Sequence, residues 1–133
     1  MFKTERIVEF GMWDNAGILF FPKIFDLTHS VYEEFVLRSD LEESYFESDR
    51  FAIPLINASA EYFMPIGLHE VLGISVVVSK VGNTSFQLTS TFADDSGNQK
   101  ANVKTTHVFV NKKDFKKRDI PEEFLSLLKE NQS

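Results

Sequence analysis

No cysteine occurs among the 133 residues, which excludes disulfides, thiolate zinc sites, iron–sulfur ligation and a cysteine nucleophile. That absence fits a reducing compartment. Basic residues are also in short supply: 14 Lys and Arg stand against 20 Asp and Glu, for a formal net charge of −6. Nucleic-acid binding draws most of its affinity from neutralised phosphates, so this balance predicts no nucleic-acid partner. No apolar run approaches the roughly 20 residues that cross a bilayer. The stretch Met1–Arg6 carries no apolar leader core, so no membrane association is expected and the protein is expected to be cytoplasmic. The six glycines spell no phosphate-cradling pattern, and no two histidines are close enough for a local metal motif. No metal and no bound cofactor are therefore expected.

What the chain does have is apolar bulk. With 43% hydrophobic residues and 14 Phe, it can bury a core, and its length suits one domain spanning residues 1–133. No repeat or linker-like tract divides it.

Residues from about Lys3 to Phe10 read as a strand closed by Gly11. Asp14, Asn15 and Gly17 then form a turn inside otherwise apolar sequence, and Pro22 suits the first position of a helix. At 100° per residue, Ile24, Phe25, Thr28, Val31, Tyr32, Phe35 and Val36 share one arc, so an amphipathic helix of about 18 residues, roughly 27 Å, is expected to end near Ser39-Asp40. Residues 41–50 read as a surface connection. Alternation marks a second strand from Ile56 to Met64. Val71–Val81, Ser85–Phe92 and Lys100–Asn111 follow with turn residues between them, and a short helix opens at Pro121. One helix and five strands, the last four expected to be joined by hairpins, make an α+β domain. Such a helix covers a sheet face and leaves its edges free, which favours self-association.

The loop before the helix is where chemistry can sit. A helix N-terminus offers unpaired N–H donors and partial positive charge, so the Phe21 N–H can serve a carbonyl oxygen that gains negative charge. Asp14, seven residues upstream beside Trp13, admits two readings. It is a plain turn residue or cap, or it is a carboxylate walled by aromatics that attacks a carbonyl or activates water.

The string Phe10-Gly11-Met12-Trp13-Asp14-Asn15-Ala16-Gly17-Ile18-Leu19-Phe20-Phe21-Pro22 resembles the opening motif of hotdog-fold acyl-CoA thioesterases, in their 4-hydroxybenzoyl-CoA thioesterase-like branch. Ala60–Pro65, Val81–Phe86 and Thr106–Val110 are similar to later strands of that branch. The resemblance implies a five- or six-stranded antiparallel sheet wrapped around one long central helix. It also implies a homodimer or homotetramer with sites between subunits, and hydrolysis of an acyl-CoA in which CoA is part of the substrate. On it, Asp14 is the catalytic nucleophile or general base and Phe21 supplies the amide for the thioester oxygen. Two positions depart from the pattern. Met12 stands where an acid is common, and Phe21 stands where an aliphatic-acyl branch has His, which favours an aromatic acyl group.

Further residues carry weaker signals. Trp13, Gly17, Phe20 and Tyr62 are expected to shape an acyl pocket, with His29 at the border of the helix's apolar arc. Thr84 and Ser85 lie in a turn that could meet pantetheine or phosphate. Lys112, Lys113, Lys116, Lys117 and Arg118 are either a solvated turn or a counter-charge for the CoA phosphates. The stripe Phe25, Tyr32, Phe35 is expected to be core, His107 a satisfied semi-buried residue, and His69 a solvent-facing one. Two other activities remain open at this point: a non-catalytic module that binds acyl-CoA or an acyl carrier, and, ranked last, a dehydratase of the same fold.

Overall fold

The computed structural model describes residues 1–133. Strand β1 (Phe2–Ile7) leads through a 3₁₀ turn (Phe10–Met12) to helix α1 (Lys23–Leu37). There follow β2 (Phe51–Ala52), β3 (Leu55–Tyr62), β4 (Val71–Val81), β5 (Ser85–Ala93), β6 (Gln99–Val108), β7 (Val110–Asn111) and α2 (Glu122–Glu130). The main sheet is antiparallel in the order β1-β4-β5-β6-β3, and β2 pairs with β7 in a separate ribbon. The sheet wraps α1, the hotdog arrangement implied by the opening motif. No helix is long and apolar enough to cross a membrane.

Helix α1 buries Ile24, Leu27, Thr28, Val31, Tyr32, Phe35 and Val36, the arc expected from 3.6-residue periodicity with Leu27 added and Phe25 only half-buried. It stops two residues early because the Ser39 hydroxyl takes the Phe35 carbonyl (2.6 Å). On the sheet side, Phe2 packs on Phe35 at 5.5 Å, and Glu34 accepts from Thr4 (2.9 Å) and pairs with Arg6 (2.8 Å). The Arg6 guanidinium holds the Glu34 carboxyl down to about 2.

Four expectations change. Strand β1 ends at Ile7, because Phe10–Met12 coil into the 3₁₀ turn while Val8 is drawn into the core. The long final strand is split at Phe109, whose ring turns inward to join Phe51, Phe86, Phe124 and Tyr45; aromatic burial there outweighs a continuous ladder. Strands β4, β5 and β6 are hairpin-connected, but β3 is not paired with β4: the chain crosses from β3 at one edge of the sheet to β4, which lies beside β1 at the other. Strand β3 consequently pairs only with β6, with a bulge between Leu55 and Asn57, and seven of its eight residues are exposed despite their alternation.

Candidate active site

Residues 12–20 form a tight hairpin that carries Asp14. Phe20 N–H donates to the Met12 carbonyl (2.7 Å), Asp14 N–H to Ile18 (3.0 Å) and Gly17 N–H to Asp14 (3.1 Å). Trp13 bridges Leu19. Gly17 adopts φ 83°, which a residue without Cβ takes at no steric cost. By strand alternation, Asp14 shares a face with Ile18 and Phe20, while Leu19 points into the core. The half-buried Asp14 carboxylate accepts the Ala16 N–H at 2.8 Å, so the turn reading holds locally. One carboxylate oxygen is engaged there and the other accepts no hydrogen bond within the chain.

The peptide after Phe20 carries the Phe21 N–H, which donates to no carbonyl within the chain, whereas Lys23 N–H already donates to Phe20 (2.8 Å). Pro22 caps α1, so its ring sets the helical direction while contributing no donor of its own. The Tyr62 hydroxyl donates to the Phe21 carbonyl, and partial burial raises the Tyr62 phenol above its ordinary value. The surrounding surface is aromatic: Phe10 stacks on Trp13 at 6.1 Å and Phe20 meets Phe21 edge-on at 5.6 Å.

Two cavities flank this point. One, of about 290 Å³, is bounded by Ile18, Phe21, Tyr62 and Met64. The other, of about 300 Å³, begins one helical turn further along α1 and runs between Phe25, His29 and Tyr32 on the helix and Leu55 and Ala58 on β3. His107 lies under its floor, stacked between Phe86 (4.9 Å, 4°) and Tyr32 (4.6 Å). The expectation of a satisfied, semi-buried His107 is corrected here: it is 1% exposed, only Nε2 has a partner (Thr105 Oγ1, 3.0 Å), and Nδ1 has none. Burial, and secondarily the nearby His29, lowers His107 to about 4, so the ring is neutral near pH 7.

The structure therefore gathers Trp13, Asp14, Gly17, Phe20, Phe21 and Tyr62 at one end of the sheet, with His29 two helical turns beyond Phe21. It does not bring Thr84, Ser85 or Lys112, Lys113, Lys116, Lys117 and Arg118 to them within one chain. Tyr62 is paired with Ala101, whereas Ser85 is paired with Val108, seven residues along β6, roughly 20 Å or more at 3.3 Å per residue. The turn meets the residues that flank the basic segment, since Phe109 N–H donates to Thr84 and Ile120 N–H to Asn83, while Arg118 N–H donates to Phe109. Arg118 lies over the Phe51 ring at 5.2 Å. His69 is solvent-facing. No cluster of three or more His, Asp or Glu side chains converges anywhere. Tyr32 and Phe25, expected only as core, and Leu55 and Ala58 were not identifiable as cavity walls, because the bulge in β3 shifts which residues share a face.

The family model for the thioesterase-like superfamily matches residues 8–128. A 1,4-dihydroxy-2-naphthoyl-CoA hydrolase of Nostoc punctiforme is 28% identical over 133 residues, covering 98% of this chain and 88% of the relative. The crystal structure of a 1,4-dihydroxy-2-naphthoyl-CoA thioesterase from Synechocystis superposes with a TM-score of 0.88 at 24% identity, covering 96% of this chain and 94% of that one. A gentisyl-coenzyme A thioesterase structure superposes with a TM-score of 0.84 at 20% identity, covering 96% and 99%.

Proposed function

As a member of the thioesterase-like superfamily the chain is a thioester hydrolase, and we propose that its substrate is an aromatic acyl-CoA of the kind named for its naphthoyl-CoA-hydrolysing relatives. The observation that supports this reading is the hairpin 12–20, which puts Asp14 on the same face as Phe20 and leads directly into Phe21, whose N–H donates to no carbonyl within the chain.

In this reading the thioester carbonyl oxygen accepts from the Phe21 N–H, where the helix dipole adds to the hydrogen bond as charge develops. Asp14 attacks the carbonyl carbon to form an acyl-enzyme anhydride that water hydrolyses, or deprotonates a water that attacks directly. In both routes CoA leaves as the thiolate. The acyl ring lies along α1 in the cavity walled by Phe25, Tyr32, Leu55 and Ala58, whose flat aromatic surfaces suit a planar group.

Through its edge, β3 supports a proposed quaternary arrangement. It presents an unpaired edge with apolar Leu55, Ile56 and Ala58 exposed, a liability that isologous pairing with a second copy removes. An antiparallel, two-fold β3 pair sets the Leu55 end of one copy beside the Tyr62 end of the other. That carries the Thr84–Ser85 turn and the Lys112–Arg118 segment of one copy toward the Asp14 hairpin of its mate, where positive charge can meet the CoA phosphates. The protein acts as a homodimer or as a pair of such dimers.

Free-thiol release from a panel of aromatic and aliphatic acyl-CoAs tests the activity. The wild type should turn over aromatic thioesters faster than aliphatic ones, and Asp14→Ala should be slowed by at least a hundredfold. Equal rates for Asp14→Ala and wild type would overturn the assignment.

A further inference from the structure

The loop that carries Asp14 is hung at both ends from one short segment, residues 64–70. At the near end Val8 N–H donates to the Glu70 carbonyl (2.9 Å) and His69 N–H to Val8 (2.8 Å); at the far end Leu19 N–H donates to the Ile66 carbonyl (2.7 Å). Val8, Leu19 and Ile66 are buried, so water does not compete for these bonds. The segment itself has no helix or strand. It includes His69 at φ 60°, a left-handed conformation that a non-glycine residue keeps only when its surroundings hold it.

A single lysine of β6 holds it. The Lys100 carbonyl accepts from Phe63 N–H (2.8 Å) and Met64 N–H (3.3 Å). Its ammonium donates to the Pro65 carbonyl (2.9 Å) and pairs with Glu70 Oε1 (3.1 Å). The other Glu70 oxygen accepts the Gly67 N–H at 2.8 Å. Lys100 is 9% exposed, and the polar contacts of its ammonium are with Pro65 and Glu70. A buried ion pair is a poor route to stability, since a well-packed apolar residue does as well or better; what it does supply is fixed direction and distance.

We propose that Lys100, acting through Glu70 and the Pro65 carbonyl, is a positioning residue for the hydrolytic site: it fixes the segment from which both ends of the Asp14 loop are suspended. The role in catalysis rests on the thioesterase reading above, whereas the mechanical coupling from Lys100 to the loop does not.

Lys100→Met and Lys100→Arg separate these. By hydrogen exchange with mass spectrometry, Lys100→Met should speed the amides of residues 9–19 at least tenfold while the centres of β4 and β5 keep their protection. In thiol-release assays, kcat should fall at least fivefold with KM within twofold of wild type. Lys100→Arg, which keeps the charge and the donors, should restore both readouts toward wild type. Unchanged exchange in residues 9–19, exchange raised evenly through the sheet, or a loosened loop with wild-type kcat would each overturn the proposal. If the wild type hydrolyses no thioester, the thioesterase reading fails and the exchange pattern still decides the coupling. Should Lys100→Met fail to fold, Glu70→Gln, which removes one charge and keeps the shape, is expected to give the same localised exchange, and its absence overturns the coupling.

Discussion

The Tyr62 hydroxyl donates to the Phe21 carbonyl, joining the free edge strand of the sheet to the residue that precedes the capping proline of α1. The bond holds the Phe21–Pro22 peptide, the neighbour of the Phe20–Phe21 peptide whose N–H is expected to meet the thioester oxygen, and so steadies that donor from one residue away. Tyr62→Phe removes it and leaves the ring. With one hydrogen bond worth about 1 kcal/mol, kcat/KM should fall roughly fivefold while the fold persists. Steady-state kinetics beside a thermal melt check this, and an unchanged kcat/KM would show that the Phe21 peptide needs no such tether.

Asp14 holds its own turn through the Ala16 N–H at 2.8 Å, so its structural and chemical roles must be parted. Asparagine keeps an acceptor for that N–H and lacks the carboxylate. Asp14→Asn should therefore retain wild-type thermal stability while kcat drops by about 10²–10⁴-fold. Single turnover of the wild type in ¹⁸O-water then bears on the route: label in the Asp14 carboxylate marks an anhydride hydrolysed at the aspartyl carbon, and label only in the released acid marks attack of water at the acyl carbon.

His107 makes stability depend on pH. Its folded pKa is depressed to about 4 by burial and by His29, against an unfolded value near 6.5. Between these values the unfolded chain binds a proton that the folded chain refuses. The contribution is thus complete above about pH 6.5 and declines as pH falls toward about 4, by at most about 1.4 kcal/mol per pH unit. Urea unfolding from pH 4 to 7 should show this slope, and His107→Gln should flatten it. An unaltered slope in the variant would assign the dependence to other groups.

Glu123, in the first turn of α2, accepts from the Tyr45 hydroxyl (2.8 Å) and from the Glu42 and Glu43 amides (3.1 and 3.2 Å). The Tyr45 hydrogen bond, then those amides, hold its carboxyl below the ordinary range. The clamp is present above that range and lost as pH falls through the lowered folded value. Glu123→Ala should cost about 1–2 kcal/mol near pH 7 and should quench the tight Tyr45–Phe124 packing at 4.9 Å. Urea unfolding together with the near-ultraviolet aromatic signal would measure both, and stability equal to wild type would contradict the clamp.

Local chemistry was legible wherever neighbours in sequence dictate it. Pro22 announced the start of α1, the heptad-like arc its buried face, and Asp14-Asn15-Ala16-Gly17 its turn, because each depends on φ preferences and on contacts within four residues. The opening motif carried the fold, and it is the motif that assigns Asp14 and Phe21 their proposed roles. The alternation of Ile56, Ala58 and Ala60 looked like that of a half-buried strand, yet it belongs to an exposed edge. Alternation reports which residues share a face and is silent on which strand lies alongside.

Periodicity, proline and turn residues in the chain thus determined the elements, the amphipathic helix and the aromatic loop before it. Only the tertiary structure decided that β3 lies at an edge of the sheet beside β6, that His107 sits at a cavity with its Nδ1 unpaired, and that Lys100 reaches Glu70 and Pro65. These are contacts between residues dozens of positions apart, set by how the sheet closes around α1, and no local preference along the chain encodes their partners.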